Sequence, residues 1–305
     1  MKISIICPLY NAKSYLKLLH EKLLLQEKIN DYEVEIRYVL TECKDDTEDI
    51  LKNLKANYKK IKKEEFSHSK TREEMAFSSD GDIIVFISQD IKIKNDQWLK
   101  KLVLPIINGE AEASFSRQLA ENNTIEKYIR EKNYPKESRI VSKADIERLG
   151  ILTFFYSDAS SAVKASIYKE LNGYDGKNLT ISEDMYLAEK LINAGYKIKY
   201  CGDSEIYHSH VFTLKELYKR YFDTGVFFKQ NSQFLNYKSN ESGVALAKYV
   251  FKAALKEKNI GVLINILPNF GARFIGSELG KRYDKLSKSF VNKSSLSGKV
   301  YDFDK

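Results

Sequence analysis

Between Lys2 and Asp90 the chain alternates short apolar runs with segments of helical period, and that alternation limits the architectures open to it. Lys2-Ile3-Ser4-Ile5-Ile6-Cys7 predicts a strand stopped by Pro8 and the Tyr10-Asn11 turn. Ser14 to Gln26 carries Tyr15, Leu18, Leu19, Leu23 and Leu24 at helical spacing. Val34 to Leu40 predicts a second strand, and Asp46 or Thr47 caps a helix through Ile50, Leu51 and Leu54. Another helix follows Ser67, and Asp82 to Ile87 predicts a third strand. The unbroken run Ile83-Ile84-Val85-Phe86-Ile87 reads as a central strand buried on both faces. The series predicts an α/β fold, with a mostly parallel, doubly wound sheet and right-handed crossovers. Such sheets bind ligands beyond the carboxyl ends of their strands, where Ser88-Gln89-Asp90 falls. Asp90 is either a site carboxylate there or the cap of the next segment.

Downstream, the spacing predicts a helix over 95–107, a strand over 111–117, and helices over 164–171 and 183–194. From Leu214 the pattern is helical. Leu214, Leu217, Tyr218, Tyr221 and Phe222 form one stripe, and Leu246, Tyr249, Val250 and Ala253 a second. A third block, Val262 to Leu267, runs into Pro268 and is followed by Phe270, Phe274, Ile275 and Leu279. The chain therefore divides into a body, 1–212, and a helical region, 213–305. Charge follows the division: 17 Lys+Arg against 8 Asp+Glu from Val211 onward leave the rest of the +8 chain nearly neutral. With no unbroken run of 18 apolar residues and no charged-then-apolar leader, neither a spanning helix nor a signal peptide is expected. Cys7, Cys43 and Cys201 lack metal-ligand spacing and read as reduced thiols of a cytosolic protein. The basic residues of the tail are interleaved with apolar stripes and form no nucleic-acid motif, so nucleic acid is not an expected partner.

Four pieces then occur in order: Pro8-Leu9-Tyr10-Asn11; Phe66-Ser67-His68-Ser69-Lys70-Thr71-Arg72; Ser88-Gln89-Asp90 with its helix at Trp98-Leu99; and Gly173-Tyr174-Asp175 leading to Ser182-Glu183-Asp184. Ser116-Arg117-Gln118 and Tyr207-His208-Ser209-His210 add two more. Singly these are weak. In this order, over about residues 3–230, the chain resembles glycosyltransferase family 2, with its Rossmann-like GT-A fold, and most of all its bacterial rhamnosyltransferase branch. The resemblance implies an inverting enzyme that moves L-rhamnose from dTDP-L-rhamnose to a glycan hydroxyl in bacterial surface polysaccharide synthesis. A UDP-hexose or UDP-N-acetylhexosamine donor on the same scaffold is the alternative enzyme. A non-catalytic basic binding or scaffold protein is the alternative of another class.

A nucleotide sugar leaves its diphosphate behind, so a divalent cation, Mg²⁺ or Mn²⁺, is needed to neutralise the departing charge. The resemblance assigns the cation to Asp90, with His208 completing the site and His210 competing for that role; a packed histidine at a strand end is the other reading of His208. It assigns the base to Asp184, with Glu183 beside it; the same pair also suits the acidic first turn of a helix. Pro8, Tyr10, Asn11, His68, Arg72, Gln89, Arg117 and Gln118 would contact the donor, and Asp158 the acceptor. His68 and Arg72, four apart, share one helix face, from which Arg72 would fork onto phosphate.

Two positions depart from the family. Its base-gripping Asp falls here on Leu40 or Thr41, leaving Glu42 or Asp45 to bind the nucleobase. Ser88 stands where the first carboxylate of Asp-x-Asp would be, as Thr or Ser does in the rhamnosyltransferase branch. The basic, amphipathic tail suits an anionic membrane surface, or else packs its stripes on the body or on a second subunit. The acceptor would then be lipid-linked, and the enzyme cytoplasmic, peripheral on the inner face of the plasma membrane.

Overall fold

In the computed structural model, residues 1–238 and 243–296 are described. β1 (Lys2–Leu9), α1 (Leu16–Leu24), β2 (Glu33–Thr41), α2 (Thr47–Asn53) and β3 (Tyr58–Ile61) lead to α3 (His68–Phe77) and β4 (Ile83–Ile87). These strands pair in parallel in the order β3-β2-β1-β4, with Ile5 of β1 between Ile36 and Val85. All of β4 is buried, as its unbroken apolar run requires. Next come β5 (Lys92–Ile93), α4 (Trp98–Ile107), β6 (Ala113–Leu119), α5 (Ile125–Asn133), β7 (Arg139–Val141), α6 (Ile146–Leu149), β8 (Ser160–Lys164), α7 (Ala165–Glu170), α8 (Glu183–Asn193) and β9 (Ile198–Tyr207).

The sheet continues through β8, β6, β9 and β5, with β7 also on β9. β8 runs antiparallel to both β4 and β6, so a mixed half joins the parallel one. Side chains of β1 alternate between two cores: Ile3, Ile5 and Cys7 pack with Trp98 and Leu102 on one face, Ile6 with Phe86, Phe115 and Tyr168 on the other.

The C-terminal helices are α9 (Leu214–Gln230), α10 (Gly243–Lys256), α11 (Ile260–Gly280) and α12 (Lys288–Ser294). A reciprocal Thr213–Glu216 capping box starts α9. Phe227 and, after α9, Phe234 enter the core beneath the sheet. Val250, Ala254 and Val262 pack α10 and α11 onto Ile125, Tyr128 and Ile129 of α5. Although no apolar run in the sequence is unbroken for 18 residues, α11 is a 21-residue helix with an 18-residue stretch of mean hydropathy 1.2, long and apolar enough by length and composition to cross a membrane. Its inner face is not lipid-like: Arg273 is buried there and pairs with Glu126.

Candidate functional site

The ends of β1, β4 and β9 open onto a cleft of about 820 Å³, walled on its far side by the start of α8 and by α9. β1 brings Pro8 and Tyr10, β4 brings Ser88-Gln89-Asp90, and the segment after β9 brings His208 and His210. Two strands far apart in sequence thus place one carboxylate and two imidazoles together. His208 Nε2 and His210 Nε2 each lie 3.6 Å from an Asp90 oxygen and 3.2 Å from each other. His208 Nδ1 is 3.0 Å from Gln118 Oε1. An Nδ1–H donated to that acceptor leaves the Nε2 lone pair facing Asp90. Burial pushes both imidazoles below their ordinary range, His208 well below it, which keeps them neutral. Separations of 3.2 and 3.6 Å are ones that a single cation bound at about 2.0–2.2 Å can bridge. Two nitrogens and one oxygen suit Mn²⁺ better than the oxygen-seeking Mg²⁺.

On the far wall, α8 begins at Ser182, whose φ of 60° turns the chain sharply and presents Glu183 and Asp184 to the cleft. Burial first, then Glu183 and Asp158, push the Asp184 carboxyl well above the usual carboxylate range. Asp158 is also pushed up by burial; it accepts from Ser161 Oγ at 2.7 Å and from Tyr174 Oη at 2.6 Å. Amid these acids lies a single buried cation, Arg72. Its guanidinium donates to the His68 carbonyl at 2.8 Å and pairs with Glu183 at 3.4 Å. The arrangement sets the raised Asp184 carboxyl across the cleft from an Asp–His–His group that could hold a cation.

The sequence profile of glycosyl transferase family 2 matches residues 4–171, more than half of the chain. The chain belongs to glycosyltransferase family 2. The O-antigen chain rhamnosyltransferase RfbN of Salmonella typhimurium strain LT2 is 33% identical over 296 residues, 95% of this chain and 92% of that protein. The O-antigen chain rhamnosyltransferase WbaN of Salmonella anatum is 33% identical over 250 residues, 80% of this chain and 79% of its own. Among solved structures, Staphylococcus aureus TarS 1–349 in complex with UDP-GlcNAc superposes with a TM-score of 0.54 at 18% identity, over 98% of this chain and 89% of that one. The mannosyltransferase PcManGT from Pyrobaculum calidifontis, in complex with GDP-Man and Mn²⁺, gives 0.56 at 12% identity over 96% and 83%. At such identities the likeness shows the fold alone, and that fold is GT-A.

Within this family 2 glycosyltransferase the expected residues divide. Pro8, Tyr10, His68, Arg72, Gln89, Asp90, Asp158, Glu183, Asp184 and His208 line the cleft. Asn11, Glu42, Arg117 and Gln118 are not among its lining residues. Gln89 spends its amide on the Tyr10 backbone, accepting from the N–H at 2.7 Å and donating to the carbonyl at 3.0 Å, and so pins the turn whose Asn11 has a φ of 48°. Arg117 turns away to the Tyr134 carbonyl and to Glu205 at 2.9 Å. Gln118 stands behind His208, also bonding Ser157 and Arg130. Arg72, expected on phosphate, bonds Glu183 and the His68 carbonyl on the cleft wall.

A side pocket of about 250 Å³ opens beside Tyr10 and Phe66. Its wall includes Thr41, whose buried hydroxyl has no partner among the described residues, while Glu42 is exposed. Lys63 Nζ lies 5.6 Å over the Tyr10 ring. Sequence reasoning missed Tyr134, Phe155 and Tyr156 on one wall, and Arg220, Tyr221 and Thr224 of α9 on another. The Tyr218–Phe222 stripe marked α9 as packed, but only the fold shows its polar side meeting the cleft.

Proposed function

We propose that the protein is an inverting rhamnosyltransferase that takes L-rhamnose from dTDP-L-rhamnose and places it on a glycan hydroxyl of a bacterial surface polysaccharide. The observation that carries this reading is one cleft with the Asp90–His208–His210 set on one wall and a raised Asp184 carboxyl on the other. The relatives named as rhamnosyltransferases, alike over most of their length, supply the sugar. Asp90, His208 and His210 would hold Mn²⁺ or Mg²⁺, which when bound supplies neutralisation of the departing diphosphate. The acceptor oxygen attacks the anomeric carbon from the face opposite the diphosphate, and its proton passes to Asp184. The bond from that carbon to the diphosphate oxygen breaks, and its electron pair leaves with the nucleotide. A carboxyl raised toward neutrality is a stronger base than an ordinary one. Glu183 pairs with Arg72 and so orients the start of α8.

In this reading Tyr10 and Phe66 flank the nucleobase in the side pocket, and Thr41 reads its edge in place of Glu42. Tyr134, Phe155 and Tyr156 offer aromatic faces to the sugars. The acceptor is carried on lipid and met on the cytoplasmic side. Turnover of dTDP-L-rhamnose, UDP-glucose, UDP-GlcNAc and GDP-mannose, with Mn²⁺ and after chelation, tests it. Preference for dTDP-L-rhamnose and loss of turnover on chelation are expected. Turnover of a UDP sugar alone would replace the donor, and activity surviving complete chelation would remove the cation.

A further inference from the structure

The side of α11 that faces away from the protein lies outside the cleft. Ile260, Ile264, Leu267 and Phe274 recur at steps of four, three and seven, one stripe along a helix. Leu267 is 83% exposed, Ile264 74% and Phe274 68%. Phe251 and Leu255 of α10 are exposed as well. From Asn259 to Ala272 there is no charged residue. Cations bracket this stripe: Lys248, Lys252, Lys256 and Lys258 are exposed on one side, and Lys281 and Arg282 follow α11 on the other. Residues 243–282 hold 7 Lys+Arg against 2 Asp+Glu. Both acids are engaged, Glu257 with Lys127 and Glu278 with Lys281.

We propose that α10 and α11 form a docking surface that lies flat on an anionic lipid bilayer, the α11 stripe at the acyl boundary and the lysines among the headgroups. An uncharged apolar stripe edged by cations is the pattern that such a surface attracts. A second copy fits less well, because pairing the stripes would set two cationic rims against each other. Spanning is opposed by the inner face of α11. There Arg273 pairs with Glu126, bonds Asn269 at 2.8 Å and donates to Tyr221 of the cleft wall, ties that crossing would break.

The test is sedimentation of the full-length protein with vesicles of phosphatidylcholine alone or mixed with phosphatidylglycerol, at low and high salt. Wild-type protein is expected to sediment with the phosphatidylglycerol vesicles and to be released by salt. The Ile264→Glu/Leu267→Glu variant should lose at least tenfold in partition, and Lys252→Ala and Lys256→Ala about fivefold each. Unchanged melting temperature and nucleotide binding certify the variants as folded. Vesicle binding unaffected by these changes would overturn the proposal. So would a wild-type dimer, seen by sedimentation velocity, that Ile264→Glu/Leu267→Glu dissolves while wild-type protein ignores vesicles. Nucleotide binding is read separately, so failure here leaves the transferase reading intact.

Discussion

Asp184 combines two demands that pull against each other. As the proposed base it would shed its proton, yet it sits where burial, Glu183 and Asp158 favour the protonated form. Asp184→Asn keeps the shape and removes the basicity, so transfer should fall by about 10²–10⁴-fold while nucleotide affinity is preserved. Enzyme assay and calorimetry separate the two. The same carboxyl makes a pH-dependent contribution. Its folded range lies above its unfolded range, so its stabilisation is complete below ordinary carboxylate titration and is lost as pH rises through the raised range. The melting temperature of Asp184→Asn should therefore exceed that of the wild type near pH 8, with the gain vanishing near pH 4. At this scale the sequence was legible where chemistry narrows the choice of side chain. Asp90, Asp184 and His208, singled out because a cation and a base would call for such groups, all line the cleft. For Gln89, Arg72 and Gln118, expected as donor contacts, the sequence does not name the protein partners that an amide or a guanidinium group takes in the fold. Here those were the Tyr10 backbone, Glu183 and His208.

The loop that aims Glu183 and Asp184 is a tethered element. Asn172, Gly173, Asp175, Gly176 and Ser182 all have positive φ between 47° and 63°, and α3 holds this path from below. Buried Glu73 accepts from the N–H of Tyr174 at 2.6 Å and from that of Gly176 at 3.1 Å. Ser69 donates to the Lys177 carbonyl at 2.5 Å and accepts from the Leu179 N–H. Glu73→Ala would strand buried donors at about 1–3 kcal/mol and loosen the path to the base. Lower melting temperature and lower kcat, with nucleotide affinity unchanged, are expected, and partial rescue by Glu73→Gln would tie the loss to the missing acceptor. Elements were readable from periodicity where one apolar pattern dominated, as in β1, β4 and α1. β8 was not, because Ser160 and Ser161 are buried in it as hydrogen-bonding groups: Ser160 takes the Trp98 indole N–H at 3.0 Å and Ser161 serves Asp158. β9 runs through Lys199, Asp203 and Glu205, and β3 through Lys59 and Lys60, so neither alternates in apolarity.

Over the whole molecule, the charge asymmetry of the sequence coincides with the helical region, yet that region is not an appendage to the cleft. α9 supplies Arg220, Tyr221 and Thr224 to the cleft wall and is held in place by α11 behind it. The contact depends on absent side chains. A methyl on Gly276 would fall on the Tyr218 carbonyl oxygen, one on Gly280 on that of Phe222, and one on Gly225 on that of Ser277. Backbone cannot move aside as the end of a side chain can, so Gly280→Ala must push α11 away from α9. Overpacking of this kind costs about 1–3 kcal/mol, and it should also lower transfer, since α9, on the other side of the strained contact, carries cleft residues. Gly271 is the internal control: it lies in the same helix, but a methyl there meets nothing within 4 Å. Gly271→Ala should raise stability by about 0.5–1 kcal/mol through helix propensity alone and leave transfer unchanged. Thermal melts and turnover of the two variants side by side decide the matter. Loss of turnover in Gly280→Ala but not in Gly271→Ala would make the α9–α11 contact part of what shapes the cleft, whereas equal behaviour of the two would leave α11 as packing alone.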